Sequence, residues 1–356
     1  MKRTVSLLLS LLIICLFFCG CTDFFPYNRI SDSIISKEDA GLAVHFVDVG
    51  QGDCVLLESR GQFAIIDAGE YSEKDKVISY LHSAGVKNLD YMISTHPHSD
   101  HCGGLSEVLR SFETAVFISP DVDSDSNSWE YVLDAADERG VTYETPEPYD
   151  TYTLGDATIT VLSPSSDAVY SSLNDYSVVC MVEYGSTSFL LTGDAEETVE
   201  KELVRSGYDL SADVLKCGHH GSSTSSCGEF LKAVSPSAAI ISCGKDNDYG
   251  HPHKEVTETL NDLQIPIWRT DLSGNIIACS DGEKISISTA ENDESVFVTA
   301  ATPSQQATYI ANRSTKVFHS FDCGSVDTMS EKNKVDFNTR DEALNAGYTP
   351  CGSCQP

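Results

Sequence analysis

The sequence predicts an α/β chain in which two β-sheets are sandwiched between outer helices, an αββα architecture, followed by a small zinc-stapled α+β domain. Three observations predict it. Short β-branched apolar runs alternate with stretches of helical period across residues 41–290, and strand groups each followed by helices bury their faces in a two-sheet sandwich with helices outside. The segments that carry chemistry fall at strand ends or in the loops after them, as sites held on a rigid scaffold do. Residues 308–356 pair a His-x3-Cys with a Cys-x2-Cys, and a segment of about fifty residues needs such a staple because its own core is too small.

The chain opens with Lys2-Arg3 and an apolar run at 5–18, too short to span a membrane comfortably and placed as a secretory signal is. Gly20-Cys21 sets a small residue before a cysteine, which resembles a bacterial lipoprotein box. Residues 1–20 are then the signal peptide and Cys21 the lipidated first residue of the mature chain, with an uncleaved anchor helix as the alternative. Either way the catalytic part is expected outside the cytoplasm, at the extracellular face of a bacterial cytoplasmic membrane or secreted. Residues 21–40 read as a linker.

Strands are expected at 44–49, 55–58 and 63–67, the last two joined by a Ser59-Arg60-Gly61 turn. A helix over 73–84 stops at Gly85. Strand 89–94 and helix 105–112 follow. Strands at 158–162, 178–184 and 188–192 then alternate with helices at 196–206, 229–234 and 254–263.

Strand 89–94 runs directly into Thr95-His96-Pro97-His98-Ser99-Asp100-His101. Neutral imidazole and carboxylate are the ligands of zinc and related divalent ions, and catalytic sites keep one position open for water. An i, i+2 pair such as His96 and His98 suits a turn, leaving Asp100 and His101 to point at a second ion. Two ions about 3.5–4 Å apart clamp the attacking and leaving oxygens of a hydrolysed ester. The alternative, a solvated His-rich loop, requires neither the strand before it nor Gly103-Gly104 after it.

Further segments follow in order: Phe46-Val47-Asp48-Val49-Gly50-Gln51-Gly52-Asp53, Ala64-Ile65-Ile66-Asp67-Ala68-Gly69, Leu190-Leu191-Thr192-Gly193-Asp194, Leu215-Lys216-Cys217-Gly218-His219-His220-Gly221-Ser222 and Tyr249-Gly250-His251-Pro252-His253. Together with the His-x-His-x-Asp-His cluster they resemble the metallo-β-lactamase fold family over residues 41–290. The branch they are most similar to includes the extracellular domain of the competence protein ComEC and the phosphorylcholine esterases. The resemblance implies that Asp194 bridges two ions, that His96 and His98 hold the first, and that Asp100, His101 and His220 hold the second, with His219 competing for that last place.

One departure is visible. The family usually places a further His between the first cluster and the bridging Asp, and residues 102–193 contain none. In its place stands Leu173-Asn174-Asp175-Tyr176-Ser177-Val178-Val179, similar to the Asn-Asp-x-Ser segment of the ComEC-like branch. The first ion is thus short of a ligand, and an oxygen-rich site accepts manganese as well as zinc. The resemblance places Asn174, His219 and His253 on the substrate side and gives catalytic roles to Asp100 and to His251, whose imidazole is placed to bond a phosphate oxygen or protonate the leaving group. Asp67, at the end of strand 63–67, is expected to accept the outer N–H of a ligand His, the alternative being a turn residue. His45 and His82 read as structural.

The formal net charge is −31, from 23 Lys and Arg against 54 Asp and Glu. No basic stripe is available to follow a phosphate backbone, which weakens a straightforward DNA-nuclease reading. Acidic runs such as Asp121 to Asp125 and Glu196-Glu197 read as solvated surface. Of 13 cysteines, Cys54, Cys180, Cys243 and Cys279 sit in apolar segments and read as buried thiols. Cys102 is either packing or a neighbour of the metal cluster, and a Cys217–Cys227 bridge is left open.

Residues 291–307 form a polar linker. In the tail, His319, Cys323, Cys351 and Cys354 supply four ligands for a closed tetrahedral zinc, separated by a helix signalled at Thr339-Arg340-Asp341-Glu342 and stopped at Gly347. This segment resembles the zinc-binding domain of the Ada methyl-phosphotriester repair protein. That family uses four cysteines where His319 stands for one here, and only Arg313, Lys316, Lys332, Lys334 and Arg340 are available for a DNA-facing surface. A structural zinc is expected, the alternative being a disulfide among Cys323, Cys351 and Cys354.

The functional expectation is metal-assisted hydrolysis by two zinc or manganese ions plus one structural zinc, with a phosphodiester preferred over a lactam. The substrate is a diester in a cell-wall polymer or a small molecule, or single-stranded DNA. Contact with the membrane runs through the lipid anchor, and no protein partner is predicted. The alternative is a non-enzymatic surface metal-binding protein, distinguished by metal content: about three ions per chain against about one.

Overall fold

A computed structural model describes residues 29–31, 34–289 and 309–354, apart from 321, 322, 328, 338, 339 and 353. The signal-like segment, Cys21 and the linker 291–307 lie outside the described residues. Among those described, no helix is long and apolar enough to cross a membrane.

The first half builds strands β1 (Leu42–Phe46), β2 (Val55–Ser59), β3 (Gln62–Ile66), β4 (Asn88–Ile93), β5 (Glu113–Ile118) and β6 (Thr142–Glu144), with helices α1 (Lys74–Ala84), α2 (Ser99–Cys102), α3 (Leu105–Ser111) and α4 (Asn127–Arg139). The second half builds β7 (Thr151–Leu154), β8 (Ala157–Ser163), β9 (Val179–Tyr184), β10 (Thr187–Leu191), β11 (Val214–Lys216), β12 (Ala238–Ile241) and β13 (Ile267–Arg269), with helices α5 (Glu197–Ser206), α6 (Gly228–Val234), α7 (Lys254–Asp262) and the short α8 (Thr270–Ser273). Strands β14 (Ile276–Ser280) and β15 (Ile285–Thr289) return to the first sheet. The sheets run β15-β14-β1-β2-β3-β4-β5-β6 and β13-β12-β11-β10-β9-β8-β7.

Side chains alternate across a strand, and here both alternating sets are apolar. Leu42, Val44 and Phe46 of β1, Val55 and Leu57 of β2, and Phe189 and Leu191 of β10 fill the core between the sheets. Leu56 and Ile65 turn the other way onto Val77 and Leu81 of α1, Val108 of α3 and Val132 of α4. Leu190, Leu215 and Ile241 face Val199 and Leu203 of α5 and Leu260 of α7. Three apolar interfaces between four layers make the αββα sandwich. Each fully buried Phe or Leu contributes about 1.5–3 kcal/mol. His45 points to the helix side, where its Nδ1 meets Tyr80 Oη at 2.8 Å; burial, and then the Lys37 charge, depress it to about 3.

The turn after β2 is tighter than Ser59-Arg60-Gly61. Ser59 pairs with Gln62 as the last rung, and only Arg60 and Gly61, at φ 51° and 77°, make the turn. Cys54, Cys102, Cys180, Cys243 and Cys279 are buried thiols, and Cys217 and Cys227 are not bridged. Burial pushes the Cys180 and Cys217 thiols up to about 12.

The tail forms a third sheet, β18-β16-β17-β19, from β16 (Tyr309–Asn312), β17 (Val317–Ser320), β18 (Lys334–Phe337) and β19 (Thr349–Pro350), with helices α9 (Gly324–Asp327) and α10 (Arg340–Asn345). Its fully packed core is Ala311, Phe318, Ala343 and Tyr348, too little apolar surface to hold a domain unaided.

Candidate metal centre

Strands β3, β4 and β5 are parallel, as are β10, β11, β12 and β13. Their carboxyl ends deliver Asp67 after β3, the His96–His101 segment after β4, Asp194 after β10 and His219-His220 after β11. Ligand sites in such sheets open at the carboxyl ends of the strands. Close approach demands glycine at one point: Gly52 has φ +131°, and a Cβ there would lie 2.2 Å from the Asp100 carbonyl oxygen.

Two ligands of one tetrahedral ion, each about 2.0–2.1 Å from it, lie about 3.3 Å apart. His96 Nε2 and His98 Nδ1 are 3.0 Å apart. On the other side His101 Nε2 is 3.3 Å from His220 Nε2, and His220 Nε2 is 3.2 Å from Asp100 Oδ2. Asp194 touches both groups: its Oδ1 is 3.2 Å from His101 Nε2 and its Oδ2 is 3.4 Å from His220 Nε2 and 3.9 Å from His96 Nε2. The buried Asp194 Oδ1 makes no well-aligned hydrogen bond among the described residues, and its polar neighbour is His101 Nε2 at 3.2 Å, an arrangement a shared cation would suit. The donor set therefore fits two divalent ions, one with His96 and His98, one with Asp100, His101 and His220, and Asp194 between them.

Of the two competing histidines, His220 joins the second group. His219 Nε2 stands 3.8 Å from Asp194 Oδ2, and its Nδ1 is held by Thr224 Oγ1 at 3.0 Å and Glu196 Oε1 at 3.3 Å. It lines a cavity of about 290 Å³ together with Gln51, His98, Asp100, Asn174 and His251. A larger neighbouring cavity of about 630 Å³ shares Gln51 and Tyr249 with it but contains none of the metal donors. His253 is not brought to the smaller cavity. Its Nδ1 accepts from Ser223 N at 2.9 Å and its Nε2 meets Tyr249 O at 3.2 Å, so the ring ties its own loop to the Ser223 turn.

The outer N–H of each key imidazole is fixed. His101 Nδ1 meets Asp67 Oδ2 at 2.8 Å, while Thr95 donates to the same carboxylate through N at 2.8 Å and Oγ1 at 2.6 Å. His220 Nδ1 meets the Ser242 carbonyl at 3.0 Å. Such contacts set the tautomer and leave Nε2 for the metal.

Two further residues lie within motifs quoted from the sequence but were given no role there. Asp53 lies with His101, Asp194 and His220 within 4.8 Å. It faces the Nδ1 side of both rings, 3.3 Å from His220 and 4.0 Å from His101, and so backs the ligands instead of joining them. Lys216, 1% exposed, places Nζ 2.5 Å from Asp53 Oδ2 and 3.3 Å from Gly193 O. The available signal was a lone lysine ending an apolar strand two residues before Gly218-His219, and an acid after the Gly50-Gln51-Gly52 turn.

Charge is concentrated here. Burial opposes ionisation throughout, but Asp194 and Asp67 raise His101 well above the usual histidine range, and Asp194 and Asp100 do the same for His220. Those imidazoles in turn hold Asp194 well below the carboxylate range. Burial opposes the charge of Lys216, yet Asp53 and Asp194 raise it. His96 is lowered by burial and by His101. Protons on His101 and His220 thus balance the carboxylates that divalent ions would otherwise neutralise. Burial and then His220 lower His251 to about 4, so it faces the cavity as a neutral imidazole.

In the tail, the donor atoms of His319, Cys323, Cys351 and Cys354 all lie within 4.8 Å of one another, and the three thiols are unbridged. His319 Nδ1 and Cys323 Sγ are 3.5 Å apart. The set fits one tetrahedral zinc.

Comparison with known proteins matches the metallo-beta-lactamase superfamily at residues 47–245 and the metal binding domain of Ada at 296–356. The ComE operon protein 3 of Bacillus subtilis is 36% identical over 65% of this chain and 32% of its own length. The competence protein ComA of Neisseria gonorrhoeae is 32% identical over 65% of this chain and 31% of its own. The chain thus spans about a third of the length of these relatives. Among solved structures, the metallo-beta-lactamase fold protein YhfI of Bacillus subtilis aligns at TM-score 0.46 and 14% identity, covering 69% of this chain and all of that one.

Proposed function

The chain belongs to the metallo-β-lactamase superfamily, and from that premise we propose that it is a dinuclear-metal phosphodiesterase working outside the cytoplasm. The observation that carries this reading is the division of six donors into two groups sharing Asp194, beside a cavity lined by His98, Asn174, His219 and His251. Two divalent ions held there supply Lewis acidity at a phosphoryl oxygen and acidify a water to near neutral pH. The chain's own part is positional. Asp67 and the Ser242 carbonyl keep His101 and His220 in the ligating tautomer, Asp53 and Lys216 brace His220 from behind, and His219 and His251 line the space where a diester's oxygens would lie.

The test is hydrolysis of bis-p-nitrophenyl phosphate with added manganese or zinc, beside Asp194→Ala. Turnover in the parent and none in the variant is expected; a protein holding its metals yet inert to diesters would refute the phosphodiesterase.

A second reading, cleavage of single-stranded DNA, is favoured by relatives named for competence. The net charge of −31 opposes it, since a polyanion is repelled by an acidic surface until salt screens the field. DNA cleavage that rises with ionic strength would favour this second reading, and absence of cleavage at any salt would remove it. The site is proposed to be tethered to the membrane through a lipid on Cys21; a palmitate label lost in Cys21→Ser is the expected result.

A further inference from the structure

The first donor group is poor. It comprises two imidazoles and a share of Asp194, and residues 102–193 contain no further histidine. The 3-10 turn Leu173–Tyr176 is fastened on both sides of that group. Val178 N donates to Thr95 O at 3.0 Å, and the Ser177 hydroxyl lies 3.4 Å from His96 Nδ1 while accepting from Asp194 N at 3.0 Å. Two residues beyond Asp194, Glu196 N donates to Asp175 Oδ1 at 3.1 Å. The turn is therefore held at the two first-ion ligands that face each other across the cleft.

Asn174 stands at the head of this turn. It is 6% exposed and borders the metal cavity. Its Nδ2 donates to Glu196 Oε1 at 3.2 Å, which fixes the amide the right way round. The buried Oδ1 is left with no hydrogen-bond partner among the described residues. A carbonyl oxygen stranded in this way is costly unless something electropositive meets it. His219, the other candidate in this corner, has its Nδ1 occupied by Thr224 and Glu196 and its side chain 23% exposed to the cavity, a position that faces substrate.

We infer that Asn174 Oδ1 is a ligand of the first ion, standing where the superfamily usually supplies a third imidazole. The inference rests on the two-ion reading of the site. It gives the first position two imidazoles and two oxygens, the same count as the second with His101, His220, Asp100 and its share of Asp194. Oxygen-rich sites suit manganese, while imidazole-rich sites suit zinc, so an imidazole in place of Asn174 is expected to move the first position toward zinc.

The test counts and identifies ions in the intact protein by elemental analysis after dialysis, with manganese electron paramagnetic resonance as a second readout. The parent should hold about three ions per chain, two in this centre and one in the tail. Asn174→Ala should lose one, weakening the first ion about 10-fold or more, the smallest loss seen when only an outer partner of a ligand is removed. Its manganese spectrum should change from that of a coupled pair to that of an isolated ion. Asn174→Asp should keep the ion, and Asn174→His should keep it while shifting its preference toward zinc. These last two carry the test if the alanine variant fails to fold. An Asn174→Ala protein that melts normally and binds both ions with unchanged affinity overturns the assignment, as does an aspartate variant that loses the ion. A parent holding fewer than two ions in this centre overturns the two-ion reading itself.

Discussion

Asp67→Asn isolates the outer contact that prepares His101. Asp67 is fully buried at φ +59°, a backbone region that asparagine tolerates, so the substitution costs little in conformation. Its Oδ1 still accepts Thr95 N, now at 2.8 Å. The other position changes sign: Oδ2 accepts from both Thr95 Oγ1 and His101 Nδ1, whereas an amide nitrogen donates. The Thr95 hydroxyl rotates to accept, but an Nδ1–H cannot. His101 is driven to the tautomer with its proton on Nε2, the atom that must offer a lone pair to the second ion. Loss of such a partner weakens metal binding about 10–100-fold, or about 1.4–2.7 kcal/mol at 1.36 kcal/mol per decade. The stability change is that of one charged hydrogen bond, about 1.5–3 kcal/mol, a fall in Tm of roughly 5 °C for a domain of this size. Chelator competition read beside a thermal melt separates the two effects. A variant that binds both ions as tightly as the parent would refute the tautomer argument. Asp67→Ala should melt lower still, since alanine at positive φ costs about 1–2 kcal/mol and Thr95 N loses its acceptor.

Two further predictions concern buried charge. Lys216→Met removes the ammonium 2.5 Å from Asp53 and leaves the carboxylate to His220 at 3.3 Å and His101 at 4.0 Å, so the loss should fall at or below the low end of the about 3–5 kcal/mol for breaking a buried pair on one side; the double variant with Asp53→Asn should recover part of that loss in a melt, and a Tm unchanged in Lys216→Met alone would sink the argument. Glu200, buried on α5 with its carboxylate accepting from Ser226 N and Cys227 N, is raised by burial from 4.5 to about 7. The folded state therefore holds this proton more tightly than the unfolded chain, so the contribution of Glu200 to stability is full below pH 4.5 and is lost as pH rises to 7. The fall is roughly 3 kcal/mol at 1.36 kcal/mol per unit. Melts across pH 5–8 should show this slope and Glu200→Gln should flatten it; equal slopes in both would assign it elsewhere.

The donors could be read from the sequence because their types cluster within short segments that end strands. His96 to His101 follows β4 in one run, and Asp194 and His220 each close an apolar strand. Asp53 and Lys216 were illegible because their role depends on which face of which ring they meet. The helix α4 was hidden for a different reason: its buried Trp129, Val132, Ala135 and Ala136 are interleaved with charges and preceded by an acidic run. Strand β6 is exposed at all three residues and carries no alternation, while β11 ends in a lysine that reads as polar until its Asp53 partner is found. His253 is the opposite case, an imidazole expected on the substrate side whose two nitrogens here meet Ser223 N and Tyr249 O.

Three site residues occupy backbone conformations that glycine would adopt more easily: Asp67 at φ 59°, His219 at 48° and His220 at 54°. Each costs about 1–3 kcal/mol in a non-glycine residue, and the consecutive pair has a geometric reason. In an extended strand, neighbouring side chains point to opposite faces. Two left-handed residues in succession after β11 break that alternation, so both imidazoles lie on one side with ring centroids 6.0 Å apart. His220 then reaches Asp100 and Asp194 while His219 faces Glu196 and the cavity. Asp67 uses the same device after β3, keeping its N–H on Ile93 O while its carboxylate swings under His101. Glycine would relax all three turns and remove the donors they present, so the strain persists because the ion pairs and hydrogen bonds at these positions hold the backbone there.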